Sequence, residues 1–266
     1  MIDIRPLIVK LGGSVITDKR RQFTVKRTVL RRLARELTAA KGSLVLVHGG
    51  GSFGHPVASK YKIAEGYGNP RQLIGFALTH RAMEKLNAYV VDALQQAGVP
   101  AVAMQPSACA VVENGRIKSM ELTPLRKLLK LGLVPVLYGD AVPDLGKGMS
   151  ILSGDQLVAQ LACELGAKRV ILGVDVDGVY TVNPKTNKNA KLIQEISLSN
   201  WSSVKKRLSS GVGGRDVTGG MAKKVRELLA LAERGVEAEI VNAAKPNILR
   251  RAILGEVGLG TRVVAR

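Results

Sequence analysis

The sequence predicts an α/β sandwich around a mainly parallel sheet. The apolar runs are short, rich in β-branched residues and nearly unbroken, as in strands buried on both faces. Segments of helical period lie between them, and this alternation is the mark of crossover-connected strands. The 266 residues are 46% hydrophobic and 23% charged, an ordinary globular composition that excludes intrinsic disorder. At roughly 150 residues per domain, the length fits one large domain or two lobes.

Taken in order, the first strand covers residues 7–11 and ends in Gly12-Gly13. A helical period follows over 25–40. The second strand, 44–47, runs into His48-Gly-Gly-Gly51, and a long helix is expected over 72–97. Residues 99–103 read as a strand after Gly98. Asn114-Gly115 between apolar flanks predicts a tight hairpin. Thr123-Pro124 starts a helix over 124–131. The strand at 133–138 ends in Gly139-Asp140. Ser153-Gly-Asp-Gln156 is a capping box that opens a helix over 154–165. A strand at 170–172, ending in Gly173, a helix over 219–234, a strand at 238–241 and a helix over 247–254 complete the pattern. The sequence shows neither an internal repeat nor a low-complexity tract.

Charge and rare residues bound the function. Lys and Arg number 40 against 21 Asp and Glu, a net charge of +19 spread over both halves. The densest cluster, Lys19, Arg20, Arg21, Lys26, Arg27, Arg31, Arg32 and Arg35, has no acid within it. It is either a solvated face or an attractor of polyanions. Aromatics at 3% leave few stacking platforms, so nucleic acid is not an expected partner. Cys109 and Cys163 have no CxxC partner, and His48, His55 and His80 match no common ligand spacing. Neither a disulfide framework nor a protein-only metal site is expected. No apolar run approaches about 18 residues, so no membrane helix is expected. Asp3 and Lys10 argue against a signal peptide, and a cytoplasmic protein is expected.

Three glycine-rich turns follow strand ends or open a helix: Lys10-Leu-Gly-Gly-Ser14, His48-Gly-Gly-Gly-Ser-Phe-Gly-His55 and Asp216-Val-Thr-Gly-Gly-Met-Ala-Lys-Lys224. Glycine lets backbone N–H groups approach phosphate oxygens, and a helix N-terminus adds partial positive charge. Gly49, Gly51 and Gly54 fit GxGxxG, but no acid stands about 20 residues on, so a dinucleotide site is rejected. GxxxxGK[ST] does not occur. Lys10 interrupts an apolar strand, where a charge is costly unless it is used. Lys223 and Lys224 are adjacent, and physics alone does not separate them. Asp175 and Asp177 either bind Mg²⁺ or cap a turn; Asp140 and Asp144 either face a substrate or form turns. His48 and His80 read as structural. Phe76, Thr79 and Met83 share one helix face, as core or as the wall of an apolar pocket.

The order of these motifs resembles the amino acid kinase family over nearly the whole chain. The residues that carry it are Lys10-Leu-Gly-Gly-Ser14, Ser153-Gly-Asp155, Gly173-Val-Asp-Val-Asp-Gly-Val-Tyr180, Thr218-Gly-Gly-Met221 with Lys224, and Gly260-Thr261. His55 and the segment 75–87 bring the likeness closest to members acting on isopentenyl phosphate. Members acting on fosfomycin share much of that pattern, while those acting on acetylglutamate lack the histidine.

The resemblance implies an open αβα sandwich in two lobes, with residues 1–150 holding the acceptor and a homodimer contact and 151–266 holding ATP. It implies phosphoryl transfer from ATP to isopentenyl phosphate, with Mg²⁺ held mainly by phosphates. Lys10 and Lys224 would touch the transferring phosphate, Asp155 would orient both, and Lys19 would stabilise the transition state. Gly12, Gly13, Ser14, Gly50 and Gly220 would line the nucleotide phosphates. Asp175, Tyr180, Pro184 and Lys185 would flank the rest of the nucleotide. Gly49, Gly54, His55 and Gly154 would face the acceptor phosphate, and Phe76, Thr79 and Met83 its tail. A phosphate monoester with a second pKa near 6 is already anionic at pH 7, so no general base is expected. The rivals are a same-fold kinase for another small phosphate or phosphonate, and a basic nucleic-acid-binding or regulatory protein on this fold.

Overall fold

The structure, a computed structural model, describes residues 5–184, 186–209 and 219–266. Strand β1 (Leu7–Leu11) leads into a single helical turn, α1 (Gly13–Ile16). Helix α2 (Arg27–Leu37) buries Leu30, Leu33, Ala34 and Leu37, the i, i+3, i+4, i+7 face of an amphipathic helix. It returns the chain to β2 (Leu44–His48). Next come α3 (Gly51–Lys60), α4 (Arg71–Gln96) and β3 (Ala101–Ala103). A hairpin of β4 (Ala110–Glu113) and β5 (Arg116–Met120) precedes α5 (Thr123–Lys130) and β6 (Val134–Tyr138). A second hairpin, β7 (Asp140–Asp144) and β8 (Gly148–Leu152), leads to α6 (Gly154–Glu164) and β9 (Arg169–Val174). The chain continues through β10 (Val179–Tyr180), β11 (Leu192–Ile193), β12 (Glu195–Ile196) and α7 (Leu198–Ser209). It closes with α8 (Gly219–Ala232), β13 (Glu237–Asn242), α9 (Ile248–Ile253) and β14 (Gly260–Val263).

Among the described residues the main sheet has eight strands in the order β12-β14-β13-β9-β1-β2-β6-β3. Neighbours are parallel except β13 and β14. β1 is the switch point, with first-half strands on one side and second-half strands on the other. Leu11 registers with both His48 and Gly173, so three carboxyl ends finish level. Such a crevice is where ligands bind in open α/β sheets. A separate four-stranded sheet, β5-β4-β7-β8, stands beside it.

Alternation along the strands gives each sheet face its own core. Ile8, Val45 and Val47 face Leu125, Leu157, Leu161 and Leu228, from α5, α6 and α8. Val9, Leu11 and Leu46 face Leu33, Leu86 and Leu249, from α2, α4 and α9. The result is the αβα sandwich expected from the sequence.

Local signals mostly hold, with informative departures. Asn114 (φ 51°) and Gly115 (φ 78°) make the hairpin turn, as a type I′ turn requires. Ser153 Oγ accepts the Gln156 N–H at 3.3 Å, but the Gln156 amide donates to the Gly115 carbonyl at 3.0 Å instead of returning to the cap. The half-made box therefore ties the hairpin to α6. The second glycine-rich segment is a helix from Gly51 onward rather than a loop. Fully buried Phe53, edge-on to Phe23 and Tyr89, anchors it despite its glycines and Pro56. The basic cluster is not one surface. Arg32 donates to the carbonyls of Ala243, Ala244 and Lys245, Lys26 to that of Ser14, and Arg27 stacks over Tyr89. Residue 150 lies inside β8, and the main sheet is common to both halves.

Candidate active site

Lys10 points from the carboxyl end of β1 into the crevice and is only 6% exposed. Its ammonium bonds Asp155 in the first turn of α6. From the first turns of α8, Lys224 reaches the other oxygen of the same carboxylate at 2.9 Å. Burial lowers the Lys10 ammonium to about 8, with Asp155 opposing and Lys224 adding to the effect. Burial works against the Asp155 charge too, but the two lysines overcome it and hold the carboxyl at about 2. Gly154 is what lets them close, because a Cβ there would sit 3.1 Å from Lys10 Cε and 3.4 Å from the His48 carbonyl. The structure also separates the adjacent lysines. Lys224 joins Asp155, while Lys223 lines a cavity of about 580 Å³ with Arg116, Lys147, Ser150 and Arg226. None of Lys10, Asp155 and Lys224 lines that cavity.

The first two glycine turns meet directly beside this cluster. A Cβ on Gly13 would stand 2.2 Å from the Gly51 nitrogen, and one on Gly49 2.9 Å from the Gly13 nitrogen. Gly51 has φ +48°, a conformation side chains rarely adopt. Gly12 donates to the Gly173 carbonyl at 2.8 Å and Gly49 to that of Leu11 at 3.0 Å. Thr17 bridges the turns, its hydroxyl donating to the Gly13 carbonyl at 2.7 Å and accepting the Ser52 N–H at 2.9 Å. Ser14 donates to Asp175 at 3.0 Å, and Lys19 stands 3.8 Å from that carboxylate with its side chain 66% exposed.

On the acceptor side, His55 lies on the exposed face of α3. Met83 packs under Gly50 and Gly54, whose added Cβ atoms would meet its sulfur at 3.1 and 2.6 Å. Thr79 is buried and donates to the Gly75 carbonyl at 2.7 Å. Met83 belongs to the core on the α2 and α4 face, whereas Phe76 packs against Ile63, Ala141 and Met149 beside Ala58 and Ile151. The helix face read from spacing is thus split between core and a small apolar cluster.

On the other side of β1, Asp177 accepts from Lys245 at 2.5 Å, Asn242 at 2.9 Å and the Tyr180 hydroxyl at 3.0 Å. Lys245 leads in keeping its carboxyl below the usual range. Pro184 follows β10 in an irregular segment. Lys185 and Thr218 lie outside the described residues. A Cβ at Gly220 would meet nothing within 4 Å.

The remaining polar residues read as structural. Burial takes His48 down to about 4, so the ring is neutral, 3.1 Å from Asn87 Oδ1 and 3.2 Å from the Gly49 carbonyl. His80 pairs with Asp140 at 2.9 Å. Asp144 accepts four backbone N–H groups, from Asn114, Gly115, Gly146 and Lys147, which closes the turns. Thr17 and Lys245 had no signal in sequence, since each matters through a partner distant along the chain.

Two ammonium groups on one carboxylate, beside two interlocked glycine turns that each open a helix, make a receptor for several phosphate charges. Comparison with known proteins agrees. The model of the amino acid kinase family matches residues 5–242. The chain is 47% identical, over 98% of its length and 99% of the other's, to a protein of Methanothermobacter thermautotrophicus described as isopentenyl phosphate kinase. It is 38% identical to a protein of the same description from Methanocaldococcus jannaschii, over 94% and 95% of the two chains. A crystal structure of an isopentenyl phosphate kinase superposes with a TM-score of 0.86 at 45% identity, covering 98% of this chain and 100% of that one.

Proposed function

Because the chain belongs to the amino acid kinase family, we propose that it transfers the γ-phosphoryl group of ATP to isopentenyl phosphate, giving the diphosphate and ADP. The observation that carries the reading is the convergence of Lys10 and Lys224 on Asp155 beside the interlocked glycine turns. The identity to the two archaeal relatives supports the acceptor.

The reaction is an in-line displacement. An oxygen of the acceptor phosphate attacks the γ-phosphorus, and the bond to the β–γ bridging oxygen breaks. The acceptor is already an anion at neutral pH, so the protein positions and neutralises rather than abstracting a proton. Lys10 and Lys224 exchange part of their bonding to Asp155 for the transferring oxygens. Asp155 keeps the two ammonium groups from splaying apart when the site is empty. Lys19, on its exposed chain, swings onto the transition-state charge. Gly12, Gly13, Ser14, Gly50 and Gly220 approach the nucleotide phosphates. His55 hydrogen-bonds the acceptor phosphate beside Gly49, Gly54 and Gly154, and the five-carbon tail lies toward Phe76.

Mg²⁺ would be held mainly by the nucleotide phosphates. Asp175 and Ser14 offer oxygen donors of the kind it takes. Phosphates would supply the other ligands. Held there, the ion would neutralise β- and γ-phosphate charge. Tyr180, Pro184 and Lys185 flank the base and ribose. Residues 1–150 form the acceptor lobe and 151–266 the ATP lobe. We further propose a homodimer through the first lobe, where Leu73, Ile74 and Leu78 leave an exposed apolar stripe on α4. Cytoplasmic location fits the two free cysteines.

The test is a coupled assay of ADP release with ATP, Mg²⁺ and a panel of isopentenyl phosphate, dimethylallyl phosphate, fosfomycin, acetylglutamate and UMP. Turnover should be highest with isopentenyl phosphate. A different best acceptor reassigns His55 and Phe76; silence with the whole panel removes the kinase reading.

A further inference from the structure

The two turns that meet at the site are joined by one buried hydroxyl. Thr17 is fully buried. Its backbone is fixed twice, by a bridge to Val25 and by its N–H donating to the Gly13 carbonyl at 2.9 Å. The hydroxyl spends its single hydrogen on that same carbonyl and accepts the Ser52 N–H, 35 residues away in sequence.

Ser52 stands in the first turn of α3, whose N-cap, Gly50, has no side chain to satisfy the exposed N–H groups. Thr17 therefore caps α3 from a different turn. Gly51 is shaped around this hydroxyl, since a Cβ there would lie 2.1 Å from Thr17 Oγ1. The Thr17 N–H and hydroxyl both bond the Gly13 carbonyl, so this residue holds the Gly13 peptide at two points.

We propose that Thr17 is a positioning residue: its hydroxyl fixes the spacing between the Gly12–Ser14 turn, which faces the donor phosphates, and the 48–55 segment, which carries the acceptor-facing Gly49, Gly54 and His55. This deepens the kinase reading and rests on it. Each turn can still bind its own substrate without the hydroxyl. What is lost is their register, and an error of about 1 Å between reacting groups costs about 100-fold in rate.

The experiment compares Thr17→Val, which keeps the shape, and Thr17→Ser, which keeps the hydroxyl, with the unaltered protein. Steady-state kinetics are run well below each thermal midpoint, and hydrogen exchange is followed at the Ser52 amide. Thr17→Val should lower kcat by about 100-fold while either KM changes by less than about threefold, and Ser52 should lose its protection. Thr17→Ser should restore both readouts. Full kcat in Thr17→Val overturns the proposal, as does a lost kcat in Thr17→Ser with its Ser52 amide still protected. If Thr17→Val does not fold, Thr17→Ser decides alone. Ser52 exchange needs no substrate, so unchanged protection in Thr17→Val defeats the staple itself. Silence of the unaltered protein toward every acceptor instead defeats the kinase reading.

Discussion

Lys10 combines a charge, a buried strand position and a paired carboxylate, so its proton is the titratable feature most exposed to pH. With the ammonium lowered to about 8 in the free protein, kcat/KM should fall as pH rises through that value. The kcat limb should lie higher, because bound phosphates favour the charged form. An NMR titration of the Lys10 ammonium checks this, and a midpoint near the ordinary 10.5 would refute it. The linked stability has a definite sign. Between about 8 and 10.5 the unfolded chain holds the extra proton, so stability rises with pH across that window. For Asp155 the contribution is complete above its ordinary 3.8 and is lost as pH falls through about 2. Lys10→Ala and Lys224→Ala should each cut turnover by roughly 100- to 1,000-fold with circular dichroism unchanged. Normal rates in both would remove them from the reaction.

At the scale of elements, the site is a meeting of turns, and glycine substitutions report how close they come. Gly13→Ala forces a carbon against the Gly51 nitrogen at 2.2 Å, with backbone on both sides and nothing flexible to yield. It should destabilise the fold by about 1–3 kcal/mol and abolish turnover. Gly220 is the contrast, near the start of α8 in open space. Gly220→Ala should raise the thermal midpoint slightly, since alanine is the better helix former. If phosphate approaches there, it should also raise KM for ATP. A calorimetric scan with an ATP titration of both variants checks the pair. An unchanged ATP affinity in Gly220→Ala would move the phosphates away from this helix start.

For the molecule as a whole, the shared sheet joins the first and second halves of the chain into one frame around β1. Strands paired across the switch point cannot separate without losing ladder bonds, and the Gln156–Gly115 bond ties the β4–β5 hairpin to α6. The exposed stripe of Leu73 and Ile74, each 55% exposed, and Leu78 on α4 is larger than scattered surface leucines require. Ile74→Asp should shift the protein from dimer to monomer in sedimentation analysis with the Lys10 environment unchanged. A protein that is monomeric without the substitution would refute this interface.

The sequence by itself determined the layers, and it pointed to the strand ends as the place of the candidate site. Strand and helix periods are local properties, and glycines at strand ends mark where the backbone must turn beside a ligand. It also singled out Lys10, because a charge in an apolar strand is conspicuous without any knowledge of its partner. Family likeness favoured Lys224 over Lys223, but only the Asp155 oxygen at 2.9 Å gave that choice a physical reason. The tertiary structure alone decided the rest. Phe76, Thr79 and Met83 share a helical period yet face different surroundings, since spacing fixes direction and not what lies opposite. The segment after His48 is helical because Phe53 finds a buried site between Phe23 and Tyr89, a gain that outweighs its glycines. Thr17 meets Ser52 only once two distant turns are folded together, and no local pattern records a bond that exists only across that gap.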